Sequence, residues 1–238
     1  MLIEGFPAGS FAANCFVIAS DPGEDCLIID PGEDAAPGIE EIVAKHKLRP
    51  VAALATHGHI DHIWSIAPVC DNAGIPAYIH PADRELLTDP AKGLSLAGGQ
   101  QLFGGLTLSE PADVLELADG MELELAGVKL VVDHAPGHTP GSVTFRLDTD
   151  QFPEAAAGSG EGALFTGDLL FAGSIGRTDL HGGDYQTILD SLARVCLPLP
   201  DATVVLAGHG PLTTIGAERA SNPFLAGLAP KAGPVRGL

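Results

Sequence analysis

The sequence predicts an α/β (α+β) fold, and three observations carry that prediction. Short apolar runs of strand length alternate with amphipathic stretches of helix length. Several of those apolar runs end in Gly-, Asp- or His-bearing loops, as strands do when functional groups gather beyond their carboxyl ends. Hydrophobic residues make up 45% of 238 residues, so a sizeable core can form, and aromatics are only 5%, so Ala, Val, Leu and Ile must build it. No internal repeat or linker interrupts the chain, and the expectation is one domain over 1–238 with a Gly/Pro-rich tail from about 229.

The elements follow in order. Asn14 to Ala19 and Cys26 to Asp30 are apolar runs separated by the turn signal Asp21-Pro22-Gly23, so residues 1–30 hold two or three strands. Residues 36–47 form an amphipathic helix, with Ile39, Ile42 and Val43 on one side. Val51 to Ala55 is a buried strand, and a helix is expected from near His62 to about Gly74. Pro76 to Ile79 is a short strand and Pro81 to Leu87 a short helix with Pro near its start. Residues 89–112, rich in Gly and Leu, are too long and too apolar for an ordinary connector; a flap over the site and a surface loop with a buried corner are the two readings. Strands are expected at 114–117, 122–125, 128–133 and 143–147, and an exposed hairpin tip at 150–162. Ala163 to Thr166 is a strand, Asp184 to Cys196 a helix, Thr203 to Ala207 a strand, and a short helix lies near 216–226.

The formal net charge of −19 argues against nucleic acid and against anionic membrane surfaces as partners. Cys15, Cys26, Cys70 and Cys196 form no Cys-x-x-Cys pair and read as buried thiols of a reducing compartment. No basic region precedes an apolar core at the N-terminus, and no uncharged run reaches membrane-span length. A cytoplasmic protein is expected; the sequence leaves its oligomeric state open.

The chemistry concentrates in Thr56-His57-Gly58-His59-Ile60-Asp61-His62, directly after a buried strand. Three imidazoles and a carboxylate in one short turn have little structural rationale without a cation, and these ligands suit zinc, iron and manganese. Three further apolar runs deliver His138, Asp168 and His209 in Gly-containing loops. If the strands share sheets, the seven side chains can converge.

The Asn14-Cys15 and Asp30-Pro31-Gly32 segments, the His-x-His-x-Asp-His turn, Pro136 to Ser142, Thr166-Gly167-Asp168, Phe171 to Asp179 and Gly208-His209-Gly210-Pro211 together resemble a metallo-β-lactamase-fold hydrolase. Within that superfamily the chain is most similar to the short glyoxalase II-like (hydroxyacylglutathione hydrolase-like) group. The resemblance implies a four-layer αββα sandwich. It implies His57, His59 and His138 as ligands of a first metal, Asp61, His62 and His209 as ligands of a second, and Asp168 as the bridge. Two divalent ions are expected, zinc first, with iron or manganese as alternatives.

Two cations sharing a water would lower its pKa from 15.7 toward ~7, supplying a bridging hydroxide that can attack a thioester or ester carbonyl. Asp61 is the candidate to orient that water while serving as a ligand. No Gly-x-Ser-x-Gly elbow offers a competing nucleophile. The expected substrate is a small-molecule thioester. Arg177 is a candidate for a substrate carboxylate, because its planar fork suits bidentate pairing; the competing reading pairs it with Asp179 to fix the loop. His134 is read as structural, with a supporting role toward the ligand loop as the second reading, and His46, His80 and His181 as surface or loop histidines. The alternative function is a persulfide dioxygenase of the same fold, whose single iron would take His57, His138 and Asp168.

Overall fold

The alternating apolar runs become two sheets that pack face to face, with helices on both outer faces, in the order αββα. The computed structural model describes residues 1–94, 108–147 and 162–231. The central part of the expected flap, 95–107, and nearly all of the expected hairpin tip, from 150 to 161, lie outside the described residues, as do residues 232–238 of the tail.

The first sheet comprises β1 (Leu2–Ala8), β2 (Ala13–Ala19), β3 (Asp25–Ile29), β4 (Arg49–Leu54), β5 (Ala77–Ile79) and β6 (Val114–Glu116), in that spatial order. β1 to β3 are antiparallel and β3 to β6 parallel. Parallel neighbours need crossovers. α1 (Ala36–His46) supplies the first; α2 (Ile60–Ile63) and α3 (Ile66–Ala73) supply the second. A short α4 (Pro90–Gly93) precedes β6.

The second sheet is built from β7 (Glu122–Leu125), β8 (Val128–His134), β9 (Val143–Leu147) and β10 (Ala163–Gly167). A small hairpin of β11 (Leu170–Phe171) and β12 (Ser174–Ile175) follows, then α5 (Tyr185–Ser191). β13 (Val204–Ala207) and β14 (Thr213–Thr214) complete the sheet beyond β10, and α6 (Ile215–Ser221) follows.

The period of two in the strands sorts side chains between layers. In β2, Phe16 and Ile18 face the other sheet while Cys15, Val17 and Ala19 face the helices. In β10, Ala163 and Phe165 point inward while Leu164 packs with Ile188 and Leu192 on the outer side. Phe16 and Phe165 meet edge-on across the sheets at 5.4 Å between centroids, an arrangement that adds to burial worth ~1.5–3 kcal/mol per large side chain.

Three expectations differ in detail. The helix expected from His62 to Gly74 is two helices, broken where the Ser65 amide turns away to donate to the Pro31 carbonyl at 2.9 Å. Residues 84–87 form a 3₁₀ turn, and the helix at 184–196 ends in a π-wound turn over Leu192–Cys196. β11, β12 and β14 are too short to leave a periodic signature.

The topology sets the position of the functional loops. β8 and β10 are both antiparallel to β9, and β13 is parallel to β10, so β8, β10 and β13 all run the same way. Their carboxyl ends therefore share one edge. The Val143 amide donates to the Thr56 carbonyl at 2.8 Å, which joins the end of β4 to that same edge.

Candidate metal centre

The turn after β4 is held by a carboxylate from the end of β3. Asp30, 2% exposed and at φ +52°, accepts from the Thr56 amide and the Thr56 hydroxyl, both at 2.7 Å. With its proton given to Asp30, Thr56 Oγ1 accepts from His57 Nδ1 at 3.1 Å. His62 Nδ1 donates to Asp30 Oδ2 at 3.0 Å. Both rings thus commit Nδ1 to an outer partner and turn Nε2 toward the cluster, as in metal sites whose outer partners fix the ring orientation.

The other loops are fixed by the backbone. His138, in the loop after β8, donates from Nδ1 to the Arg177 carbonyl at 2.8 Å. His209 follows β13, and Asn14 Nδ2 braces its loop by donating to the Ala207 and Gly210 carbonyls at 2.9 and 3.0 Å. Gly208 must be glycine, because a Cβ there would strike the Asp168 carboxylate and the His62 ring. α5 is tied to the His138 loop as well: the Asp184 amide donates to the Gly137 carbonyl at 2.9 Å, and the Asp184 carboxylate caps the helix by accepting from Thr187.

All seven residues singled out by the sequence come together. His57, His59 and His138 form one group, Asp61, His62 and His209 another, and His57, His62 and Asp168 a third that links them; within each, the ligand atoms lie within 4.8 Å of one another. His59 Nδ1 faces His138 Nε2 at 2.8 Å, and His62 Nε2 faces His209 Nε2 at 3.3 Å. Asp168 Oδ1 is 3.3 Å from His62 Nε2, and Oδ2 is 3.5 Å from His138 Nε2 and 3.8 Å from His209 Nε2, so the carboxylate stands between the two triads. His57 Nε2 and Asp168 Oδ1 are buried without a hydrogen-bond partner. Unpartnered buried acceptors are costly, and ring nitrogens at these separations suit ligands of one ion held at ~2.0–2.1 Å. The donor set fits a dinuclear centre.

Charge in the cluster is divided. Burial, then neighbouring His62 and His138, push His57 well down, and burial with His138 pushes His59 to about 3. Burial also opposes the proton on His62, but Asp168 and Asp61 outweigh it and raise that ring well above its ordinary value. His209 is raised the same way by its hydrogen bond to Asp61 and by Asp168. Asp168 and Asp61 are lowered despite burial, chiefly by His62. Access is also uneven. His57, His59, His62 and His138 are at most 4% exposed, whereas the side chains of Asp61 and His209 are 18% and 29% exposed.

Arg177 makes the ion pair of its second sequence reading. Its guanidinium makes a bidentate pair with Asp179 at 2.7 and 2.8 Å, and its backbone carbonyl holds His138. His134 stacks on His80 at 4.2 Å and bonds the Pro140 carbonyl at 2.9 Å, which places it behind the ligand loop. Sequence reasoning assigned no role in the site to Asp30 or Asp83, two buried carboxylates that hold the ligand loops. Asp30 sat in a recognisable Asp-Pro-Gly turn that offered a signal; Asp83 lies in a short helical stretch that offered none.

Residues 8–152 and 158–209 match the metallo-beta-lactamase superfamily. The chain belongs to that superfamily. It is 50% identical over 230 residues to an uncharacterized Mycobacterium tuberculosis protein, covering 96% of this chain and 100% of the relative. It is 38% identical to the probable metallo-hydrolase YqgX of Bacillus subtilis, covering 94% and 97%. It is 34% identical to the hydroxyacylglutathione hydrolase GloC of Haemophilus influenzae, covering 94% and 98%. Among solved structures, the BLEG-1 B3 metallo-beta-lactamase superposes with a TM-score of 0.79 at 39% identity, covering 95% and 100%. TTHA1623, solved in a di-iron-bound form, superposes at 0.73 with 34% identity, covering 94% and 100%. Members of this superfamily are generally metal-dependent hydrolases, and the His/Asp groups described above fit a dinuclear metal site in it.

Proposed function

We propose that the protein is a glyoxalase II-like thioester hydrolase that works with two divalent ions, zinc first among them. The observation that carries this reading is the completeness of the ligand set: each of two triads has its three members, with Asp168 directed to both. The whole-length similarity to a hydroxyacylglutathione hydrolase supports the thioester as substrate class.

His57, His59 and His138 would hold one ion and Asp61, His62 and His209 the other. When bound, the pair supplies an acidified water and a Lewis acid for the carbonyl. The chain's own residues do the rest. Asp61 Oδ2 lies 3.1 Å from His209 Nε2 and the group remains a carboxylate, so it can hold and orient a water proton on the solvent side of the cluster. The exposure of Asp61 and His209 means that substrate arrives over the second triad, while the first triad lies beneath, dry. A dry floor strengthens the electrostatics at the reacting carbon. Arg177 enters the reading as the contact for an acidic group of the substrate, exchanging Asp179 for it.

The test is turnover of a panel of small thioesters by zinc-loaded protein. Cleavage that is lost on chelation and restored by zinc supports the proposal. Oxygen uptake with a thiol persulfide, and no thioester cleavage, would establish the mononuclear-iron dioxygenase reading instead; the convergence of Asp61, His62 and His209 as a second triad weighs against that outcome.

A further inference from the structure

Two buried carboxylates brace the loops that carry the triads. Asp30 reaches the second triad directly, through His62, and one member of the first, His57, through Thr56. Asp83, which is 0% exposed, makes its described hydrogen bonds to none of the metal-facing side chains. Its Oδ2 accepts from the Gly58 amide at 2.8 Å and from the Thr139 hydroxyl at 2.6 Å, and its Oδ1 accepts from the Gly141 amide at 2.7 Å. Gly58 stands between His57 and His59, and Thr139 is adjacent to His138. One carboxylate therefore spans the two loops that carry the whole first triad. The joint is reinforced by Ser142: the Thr139 amide donates to Ser142 Oγ at 3.1 Å, and the two hydroxyls lie 2.7 Å apart. Since Thr139 spends its proton on Asp83, Ser142 is the donor between them. Gly141 allows the close approach, because a Cβ there would collide with the Asp83 carboxyl group.

We propose that Asp83 is a positioning residue for the first metal triad, setting the separation of His57 and His59 from His138, with a much smaller effect on the second triad, whose His62 is anchored separately by Asp30. This rests on the dinuclear reading above. All three donors to Asp83 are neutral, so the carboxylate is held by hydrogen-bond geometry and not by a counter-charge. Asp83→Asn keeps the shape but turns an amide N–H₂ toward a backbone N–H, that of Gly58 or that of Gly141, which can only donate, and so loosens the tie between the two loops. A purely structural buried acid would weaken both sites together through the fold; a brace for one triad must act on one site.

The experiment uses Co(II) alone as probe, with absorption and calorimetric titration of the metal-free protein. His209→Ala reports the first site in isolation, and His59→Ala reports the second. Adding Asp83→Asn to His209→Ala is expected to weaken the remaining ion about 10- to 100-fold, the range for supporting partners of metal ligands. Adding it to His59→Ala should change affinity less than about threefold, within the scatter expected of uncoupled sites. Thr139→Val, which removes one of the three bonds, should give a smaller loss at the first site only, and serves if Asp83→Asn does not fold. Equal losses at both sites, or no loss at the first, would overturn the role of Asp83 and leave the dinuclear reading standing. Failure of the parent protein to bind Co(II) would overturn both.

Discussion

Three of the five imidazoles in the cluster have one nitrogen committed before any ligand arrives. Thr56, Asp30 and the Arg177 carbonyl take the Nδ1 protons of His57, His62 and His138, so it is Nε2 of each ring that turns inward. Asp61 differs from its neighbours in being both a ligand candidate and reachable by solvent. Asp61→Asn is expected to lower thioester turnover ~100-fold or more, the scale of a positioned proton acceptor, with secondary structure unchanged. Acidity gives a second expectation. The pKa of His62 and His209 is raised, so each holds its proton up to a pH above the ordinary imidazole value, and an entering cation must displace those protons. Metal affinity should therefore fall as pH is lowered, and a titration at descending pH checks the sign. Arg177→Ala should leave the melting temperature unchanged, because its pair with Asp179 is exposed. If Arg177 contacts substrate, the same change should raise KM for an acidic thioester and not for a neutral one.

At the scale of elements, the site is a product of strand direction. Three strands of the second sheet run the same way, and β4 meets them at one edge, so residues far apart in sequence are delivered together. Gly208 shows how closely the loops pass. Gly208→Ala should displace Asp168 and His62 and cost metal binding, which a metal assay of the purified variant would read. In the core, Phe165 joins the sheets against Phe16; Phe165→Ala should destabilise by ~3–5 kcal/mol in urea unfolding. Much of this arrangement was legible in the sequence. The strands ending in His57, His138, Asp168 and His209 announced themselves because an apolar run followed by a polar ligand in a glycine-rich loop is a local pattern. The helix break at Trp64-Ser65 was not legible, since its cause is a bond to Pro31 from another segment. Nor was the contribution of Arg177, which supports His138 through a carbonyl that every residue possesses. Asp83 acts on Gly58 and Thr139, 25 and 56 residues away in the chain, and no local pattern marks such a partner; Asp30, 26 residues from Thr56, was marked only by its Asp-Pro-Gly turn.

The whole molecule places a compact cluster of imidazoles and carboxylates at one edge of an αββα sandwich and keeps most of it out of water. No described helix is long and apolar enough to cross a membrane. Binding of ions to the folded state alone should raise stability, by about 2.7 kcal/mol when free ion exceeds Kd a hundredfold, so chelation should lower the melting temperature reversibly. The central claim is that seven side chains from four loops hold two ions. Elemental analysis of the purified chain and of His209→Ala tests it most directly. Two zinc, iron or manganese ions per chain, falling to one in the variant, is the predicted result. A single ion in both, unaffected by loss of His209, would contradict it.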